Sequence, residues 1–128
     1  MELRASGGFS ADQAAQSAAF WQSTAEQVLQ DPEAAASPNA LKSWSHDINS
    51  GANLLASHGY NAEAEQIYEL SSQLWPGNPE PVVALADLLQ SSGRADQARV
   101  LLESFDRQFP DMRSQLEAAG AWKLVRGK

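Results

Sequence analysis

The sequence has 128 residues, 43% of them hydrophobic, which is enough for one globular domain with its own core. Its formal net charge of −7 argues against a nucleic-acid partner, because binding the phosphate backbone requires clustered Lys and Arg. There is no cysteine, which excludes disulfides, zinc–thiolate sites and thiol chemistry, and no run approaches the ~20 apolar residues of a membrane span. Because alanine is common and β-branched residues are scarce, the composition predicts an all-α fold.

Residues 1–9 have no apolar core, so we predict a flexible leader or an expression remnant rather than a secretory signal. Residues 10–128 are predicted to form a single helical domain. Without a signal peptide, a membrane span or a cysteine, the sequence favours the cytoplasm. A chain cut from a larger protein would leave the compartment undetermined.

The first predicted helix occupies residues 10–31. Ser10 can cap it, Gln13 stands three residues later as the capping-box partner, and a proline ends it. Its apolar side is predicted to combine bulky and small residues: Phe20, Trp21, Val28, Leu29, Ala14, Ala18 and Ala25. We expect this helix to pack on the following long helix, Asn39–His58, as an N-terminal cap.

The second long helix is predicted after a connector at Ala34–Ser37. Ser37 can cap it, with Pro38 in its first turn. Its apolar residues follow one another at steps of three and four: Leu41, Trp44, Ile48, Ala52 and Leu55. The helix should end near His58, with Gly59 in a conformation of positive φ.

Four further helices are predicted, which gives about six in all. Asn61, Asn78 and Asp111 are expected to cap the first, second and fourth of them, and the third is expected over Ala95–Gln108. Their connectors are short, so consecutive helices should be antiparallel. The predicted apolar residues are Ala64, Ile67, Tyr68, Leu70, Leu74, Val82, Leu85, Ala86, Leu89, Ala98, Leu101, Leu102, Phe105, Met112, Leu116, Ala119, Trp122 and Leu124.

The strongest signal is an internal repeat of 34 residues. Its landmarks are the pairs Gly59 and Gly93, Ala64 and Ala98, and Pro76 and Pro110. The glycine allows a tight turn between two helices, the alanine lets them approach closely, and the proline ends the second helix. A fixed period of this length predicts stacked helical hairpins.

These residues resemble the tetratricopeptide repeat family. The first repeat covers 45–78 and the second 79–112, while 113–128 resembles either a C-terminal capping helix or the start of a truncated third repeat. The residues that match the family pattern are Ile48, Ala52, Leu55, Gly59, Ala64, Tyr68 and Pro76, then Val82, Leu85, Ala86, Leu89, Gly93, Ala98, Leu102 and Pro110. Gly51 departs from the pattern, where the family has leucine. The resemblance implies a short right-handed α-solenoid and a non-enzymatic role in protein–protein interaction.

The resemblance also implies where a partner would bind, because the first helices of the repeats line a concave groove in this family. The matching positions are His46, Asn49, Asn53, Glu80, Val83, Asp87, Gln90, Glu117 and Ala121. Members that bind the carboxylate tail of chaperones have Asn and basic residues here, whereas Asp87 and Glu117 are acidic. We therefore expect no such tail in this groove. The alternatives are a neutral or basic segment, or solvated residues without any ligand.

No catalytic set is visible in the sequence. His46 and His58 are twelve residues apart and lack the i, i+4 spacing of a helical metal pair, and there is no nucleophile elbow or phosphate-binding glycine loop. We expect no enzyme, metal or cofactor, and a protein or peptide partner of unknown identity rather than nucleic acid or membrane. The alternative function is structural, with self-association, for example as a homodimer, or docking to a larger protein through an open end of the array.

Overall fold

Helices make up nearly all of the chain that the computed structural model describes, residues 10–118, and no strand occurs between those limits. The prediction of an all-α fold is confirmed. Within residues 10–118, seven α-helices and one 3₁₀ turn follow one another: α1 Ala11–Gln30, α2 Pro32–Ala35, α3 Pro38–Ser57, α4 Asn61–Leu74, α5 Pro79–Ser91, α6 Ala95–Gln108, the 3₁₀ turn Pro110–Met112 and α7 Arg113–Ala118. The predicted apolar residues Ala119, Trp122 and Leu124 lie outside the described residues, as does the predicted leader.

Several helices are capped at their N-termini by the side chains that the sequence predicts. The hydroxyl of Ser10 accepts from the backbone N–H of Gln13 at 3.1 Å, and the Gln13 side chain accepts from the backbone of Ser10 at 2.9 Å. Ser37 caps α3, and Asn78 caps α5 by accepting from the N–H of Glu80 at 3.0 Å. The predicted connector between α1 and α3 is partly helical, because Asp31 caps the short helix α2.

Two predicted caps are wrong. Asn61 is the first residue of α4, and Tyr60 occupies the cap position instead. The turn from α3 is so short that the Tyr60 carbonyl already accepts from Ala64, at 2.9 Å, which starts the next helix one residue early. Asp111 lies inside the 3₁₀ turn that precedes α7, so it does not cap that helix.

Both hairpins turn on a glycine of positive φ. Gly59 has a φ of 87° and Gly93 a φ of 78°. At the first turn, the N–H groups of Gly59 and Tyr60 donate to carbonyls of the last turn of α3, at 3.0 and 2.9 Å. The same pair of bonds, at 3.2 and 2.8 Å, recurs at Gly93 and Arg94. Left-handed backbone at this position satisfies carbonyls that the helix end leaves without partners, so the predicted role of both glycines is confirmed.

The core runs through the two hairpins, α3 with α4 and α5 with α6. Its completely buried larger side chains include Ile48, Leu55, Ile67 and Leu102. Ala64 and Ala98, the small residues that the repeat pattern places in the second helix of each hairpin, are also fully buried. The helical stripes predicted for α3, α5 and α6 therefore face the core, with Leu41, Trp44 and Leu101 only half-buried at its margin.

The sequence predicts that helix α1 packs on α3. The helix contacts both α3 and α4, and it contacts α4 more extensively than α3. Its buried side consists of Ala14, Ala18, Ala25 and Val28. The prediction that Phe20 and Leu29 share this side is wrong, since they are 59% and 45% exposed. Small side chains let α1 lie close to α4, and this approach leaves the bulkier residues on the outside.

Gly51 explains how α1 also contacts α3. A Cβ added to Gly51 would collide with the indole ring of Trp21, so the missing side chain makes room for the tryptophan. The departure from the family pattern at Gly51 is thus compensated by an aromatic ring from another helix. A direct hydrogen bond of 3.2 Å between Gln22 and Gln66 adds a polar contact between α1 and α4.

A buried polar cluster of Ser45, Ser71 and Asn78 joins α3, α4 and the start of α5. The Ser45 hydroxyl donates to the Ser71 carbonyl at 2.7 Å, and the Ser71 hydroxyl donates to the Ser45 carbonyl at 2.6 Å. The side-chain N–H of Asn78 donates to the Ser45 oxygen at 3.0 Å. All three residues are 0–1% exposed, so the bonds satisfy groups that have no access to water.

We expect Gly59→Ala to lower the free energy of unfolding by about 1 kcal/mol, because an L-residue is disfavoured at positive φ. No atom lies within 4 Å of the position of an added Cβ, so the cost is purely conformational. Gly59→Asn should cost less, since asparagine tolerates this region better. Urea denaturation would measure both variants, and equal stability of Gly59→Ala and wild type would contradict the role of the turn.

Ser45→Ala should destabilise the fold by about 1–3 kcal/mol, because it leaves the buried N–H of Asn78 without its acceptor. Ser43→Ala is the matched control, as Ser43 is exposed on the same helix and should change stability by less than about 0.5 kcal/mol. Thermal denaturation of both variants would show a difference if the cluster joins the hairpins. Similar melting temperatures for the two would argue against it.

Candidate binding groove

A groove runs between α3 and α5. Its first part, here called the Asn49 section, has a volume of about 480 Å³. It is lined by His46, Asn49, Ser50, Asn53, Pro79, Glu80, Val83, Ala84 and Gln115. Five of the sequence-predicted residues, His46, Asn49, Asn53, Glu80 and Val83, therefore come together here.

The second part of the groove, here called the Asp87 section, has a volume of about 380 Å³. Its lining residues are Asn53, Ala56, Ser57, Asn61, Tyr68, Ala84, Asp87, Leu88 and Ser91. Asn53 and Ala84 line both sections, so the two are continuous along α3 and α5. Asp87 is thereby placed in the same groove as the other predicted residues, one section further along.

Asn49 lies at the floor of its section and is only 6% exposed. Its side-chain oxygen is buried and has no hydrogen-bond partner within the described part of the chain. A buried carbonyl without a partner is uncommon in a folded protein and costs about 1–3 kcal/mol of desolvation. Asn49 is thus a hydrogen-bond acceptor that the fold itself leaves unused.

His46 and Glu80 bridge the groove between the two hairpins. The Nδ1 atom of His46 lies 3.0 Å from a carboxylate oxygen of Glu80, which is 34 residues later and so one repeat further on. The hydrogen bond to Glu80, together with its negative charge, raises the pKa of His46, and the charge of Asp47 adds to this. The pair links α3 to α5 at the rim, where both side chains stay largely exposed.

Tyr68 supports the groove from α4. Its hydroxyl donates to the side-chain oxygen of Asn53 at 2.6 Å, which orients the Asn53 amide. Burial is the main cause that raises the pKa of Tyr68, and the negative charge of Asp87 contributes. Tyr68 and Asp87 line the same section, and the negative charge of Asp87 disfavours ionisation of the Tyr68 hydroxyl.

The remaining predicted residues are placed differently. Gln90 lines neither section, and its side-chain oxygen is buried without a partner in residues 10–118. Glu117 belongs to α7, but its side chain and the whole of Ala121 lie outside what the structure describes. Sequence reasoning missed Ser57, Ser91 and Tyr68, because their participation depends on how α4 and the helix ends pack. Ala84 was also missed, although it follows the predicted residue Val83 directly in the sequence and lines both sections.

We expect the imidazole of His46 to titrate above its ordinary value of 6.5, because protonation completes the ion pair with Glu80. The stabilisation from this pair is full below pH 6.5 and is lost as the pH rises through the raised value. NMR titration of Glu80→Gln should show a lower midpoint for His46. Glu103→Gln, which removes an exposed charge from α6, should leave that midpoint unchanged, and a fall in both variants would contradict the pairing.

Among residues 10–118, no group of three or more His, Cys, Asp or Glu side chains is arranged to hold a metal ion. The described helices also include none that is long and apolar enough to cross a membrane. No curated protein and no solved structure matches the chain. A family model described as tetratricopeptide repeat matches residues 55–122, more than half of the chain. Repeats of this kind build protein–protein interaction modules, and this chain belongs to the tetratricopeptide repeat family.

Proposed function

We propose that this protein binds an extended segment of a partner protein in the groove between α3 and α5. The observation that carries the proposal is the side-chain amide of Asn49, a lining residue of the Asn49 section whose enclosed oxygen has no hydrogen-bond partner within residues 10–118. Rotation of this amide about its last side-chain bond brings the enclosed oxygen to the groove, where a backbone N–H of a bound segment is a donor for it. Binding would return the desolvation energy that the free fold loses at Asn49.

The rest of the Asn49 section suits a peptide chain. Pro79, Val83 and Ala84 supply apolar surface from α5, and half-buried positions of this kind gain from contact with apolar side chains. Ser50 and Gln115 add hydrogen-bonding groups at the edges. A mixed lining of this type holds a backbone by polar bonds and selects side chains by apolar contact.

Selection from a phage-displayed library of random peptides, followed by affinity measurement with synthetic versions, would test this function. Val83→Arg places a bulky charge in the groove and should abolish binding of the selected peptides. Val100→Arg is the matched control, because Val100 is 63% exposed on α6 and lies outside both sections of the groove. Peptides that bind Val83→Arg but not Val100→Arg would place the binding surface elsewhere. Failure to enrich any peptide would contradict the proposed function.

Asn49→Leu separates binding from folding. Leucine has a similar size and removes the unpartnered oxygen, so stability should stay the same or rise. Affinity for a selected peptide should fall by about tenfold, since one hydrogen bond of roughly 1.4 kcal/mol is lost. Circular dichroism and calorimetry on the same samples would compare the two effects. Unchanged affinity would show that Asn49 does not contact the peptide.

A further inference from the structure

The hydroxyl groups that line the Asp87 section each donate their hydrogen to an acceptor within the protein. The Ser57 hydroxyl donates to the Leu54 carbonyl at 2.8 Å, and the Ser91 hydroxyl donates to the Asp87 carbonyl at 2.6 Å. The Tyr68 hydroxyl donates to Asn53 at 2.6 Å. A hydroxyl carries a single hydrogen, so each of these oxygens has only lone pairs to offer to a ligand.

Asp87 adds a negative charge to the same section. Its side chain is exposed and has neither a hydrogen bond nor an ion pair with any described residue. No Lys or Arg is found among the described residues that line the section. The carboxylate therefore has no counter-charge among the residues that line the section.

We propose that the Asp87 section binds a cationic side chain, an ammonium or a guanidinium, carried by the partner segment. This inference rests on the proposed function, because the cation would belong to the segment held in the adjoining Asn49 section. An ammonium or guanidinium carries only donors, which matches a section whose carboxylate and three hydroxyls present acceptors. An anion would face the same acceptors and the charge of Asp87, with only the amides of Asn53 and Asn61 as donors.

The apolar residues of the section suit the same ligand. Ala56, Ala84 and Leu88 contribute methyl and methylene surface to the section. Lysine and arginine side chains bury their aliphatic stems against such surface while the charged end contacts polar groups. The Asp87 section thus offers a place for both parts of one long basic side chain.

The exposed side chain of Asp87 makes no hydrogen bond or ion pair with a described residue, so a substitution there changes the charge without removing a contact. Asp87→Asn keeps the shape and removes the charge. Asp96→Asn is the matched control, because the Asp96 side chain is 92% exposed on α6 and alters the net charge equally. Neither variant removes a buried contact, and both should have wild-type thermal stability.

The direct test is an NMR titration with acetyl-Ala-Lys-Ala-amide, its arginine analogue and a norleucine analogue. We expect the lysine or arginine peptide to shift the side-chain amide signals of Asn53 and Asn61 saturably, and the norleucine peptide to leave them unchanged. The two basic peptides distinguish an ammonium from a guanidinium site. Asp87→Asn should weaken the shift by at least tenfold in affinity and Asp96→Asn should not. Absence of saturable shifts, or equal shifts in Asp87→Asn, would overturn the cation site.

Failure of this inference can be told from failure of the proposed function. Selected peptides that lose affinity on Val83→Arg but not on Asp87→Asn would leave the groove as the binding site and remove the cation subsite. Exchange of Lys or Arg for norleucine in a selected peptide gives the reciprocal measurement. If the inference holds, that exchange should cost at least tenfold in wild type and much less in Asp87→Asn.

Discussion

The hydrogen bonds of Asn78 are the constraint on which the arrangement of the two hairpins depends. Its side-chain oxygen caps the N-terminus of α5, and its side-chain nitrogen donates to Ser45 in α3. One amide thus sets both where α5 starts and where it lies against the first hairpin. The cluster does not recur in the second repeat, where Pro79 and Met112 stand in place of Ser45 and Asn78. Apolar contacts repeat along the array, whereas this polar contact specifies a single junction.

The groove follows from that junction. Because α3 and α5 are corresponding helices of consecutive repeats, residues 34 apart face each other across it, and His46 with Glu80 is the clearest pair. The core stripe of each helix is turned inwards, so the groove receives the polar residues that remain together with half-buried apolar residues such as Val83 and Leu88. In the Asp87 section, the hydroxyl hydrogens are used in bonds within α3 and α5 and between α4 and α3, which leaves oxygen lone pairs and the Asp87 carboxylate to face the groove.

The N-terminal helix packs on the first hairpin although it lacks the repeat pattern. Ala14, Ala18 and Ala25 provide a flat surface that fits closely against the first hairpin. Trp21 fills the space above Gly51, where the family pattern would have placed a larger side chain in α3. Removing a side chain from one helix and supplying a ring from another conserves the packed volume. The cost is that Phe20 remains exposed on the outer surface of α1.

The sequence alone determined the helices, their turns and the family. Capping by Ser10, Ser37 and Asn78, and positive φ at Gly59 and Gly93, are encoded within a few neighbouring residues, so local chemistry predicts them. Of the residues that the family resemblance implies for a groove, the structure brings His46, Asn49, Asn53, Glu80 and Val83 together in the Asn49 section. Tertiary structure decided the features that depend on distances between helices. These include the exposure of Phe20 and Leu29, the burial of the Asn49 amide, and the meeting of Asp87 with Tyr68 and two serines, since no local pattern records how closely two helices pack.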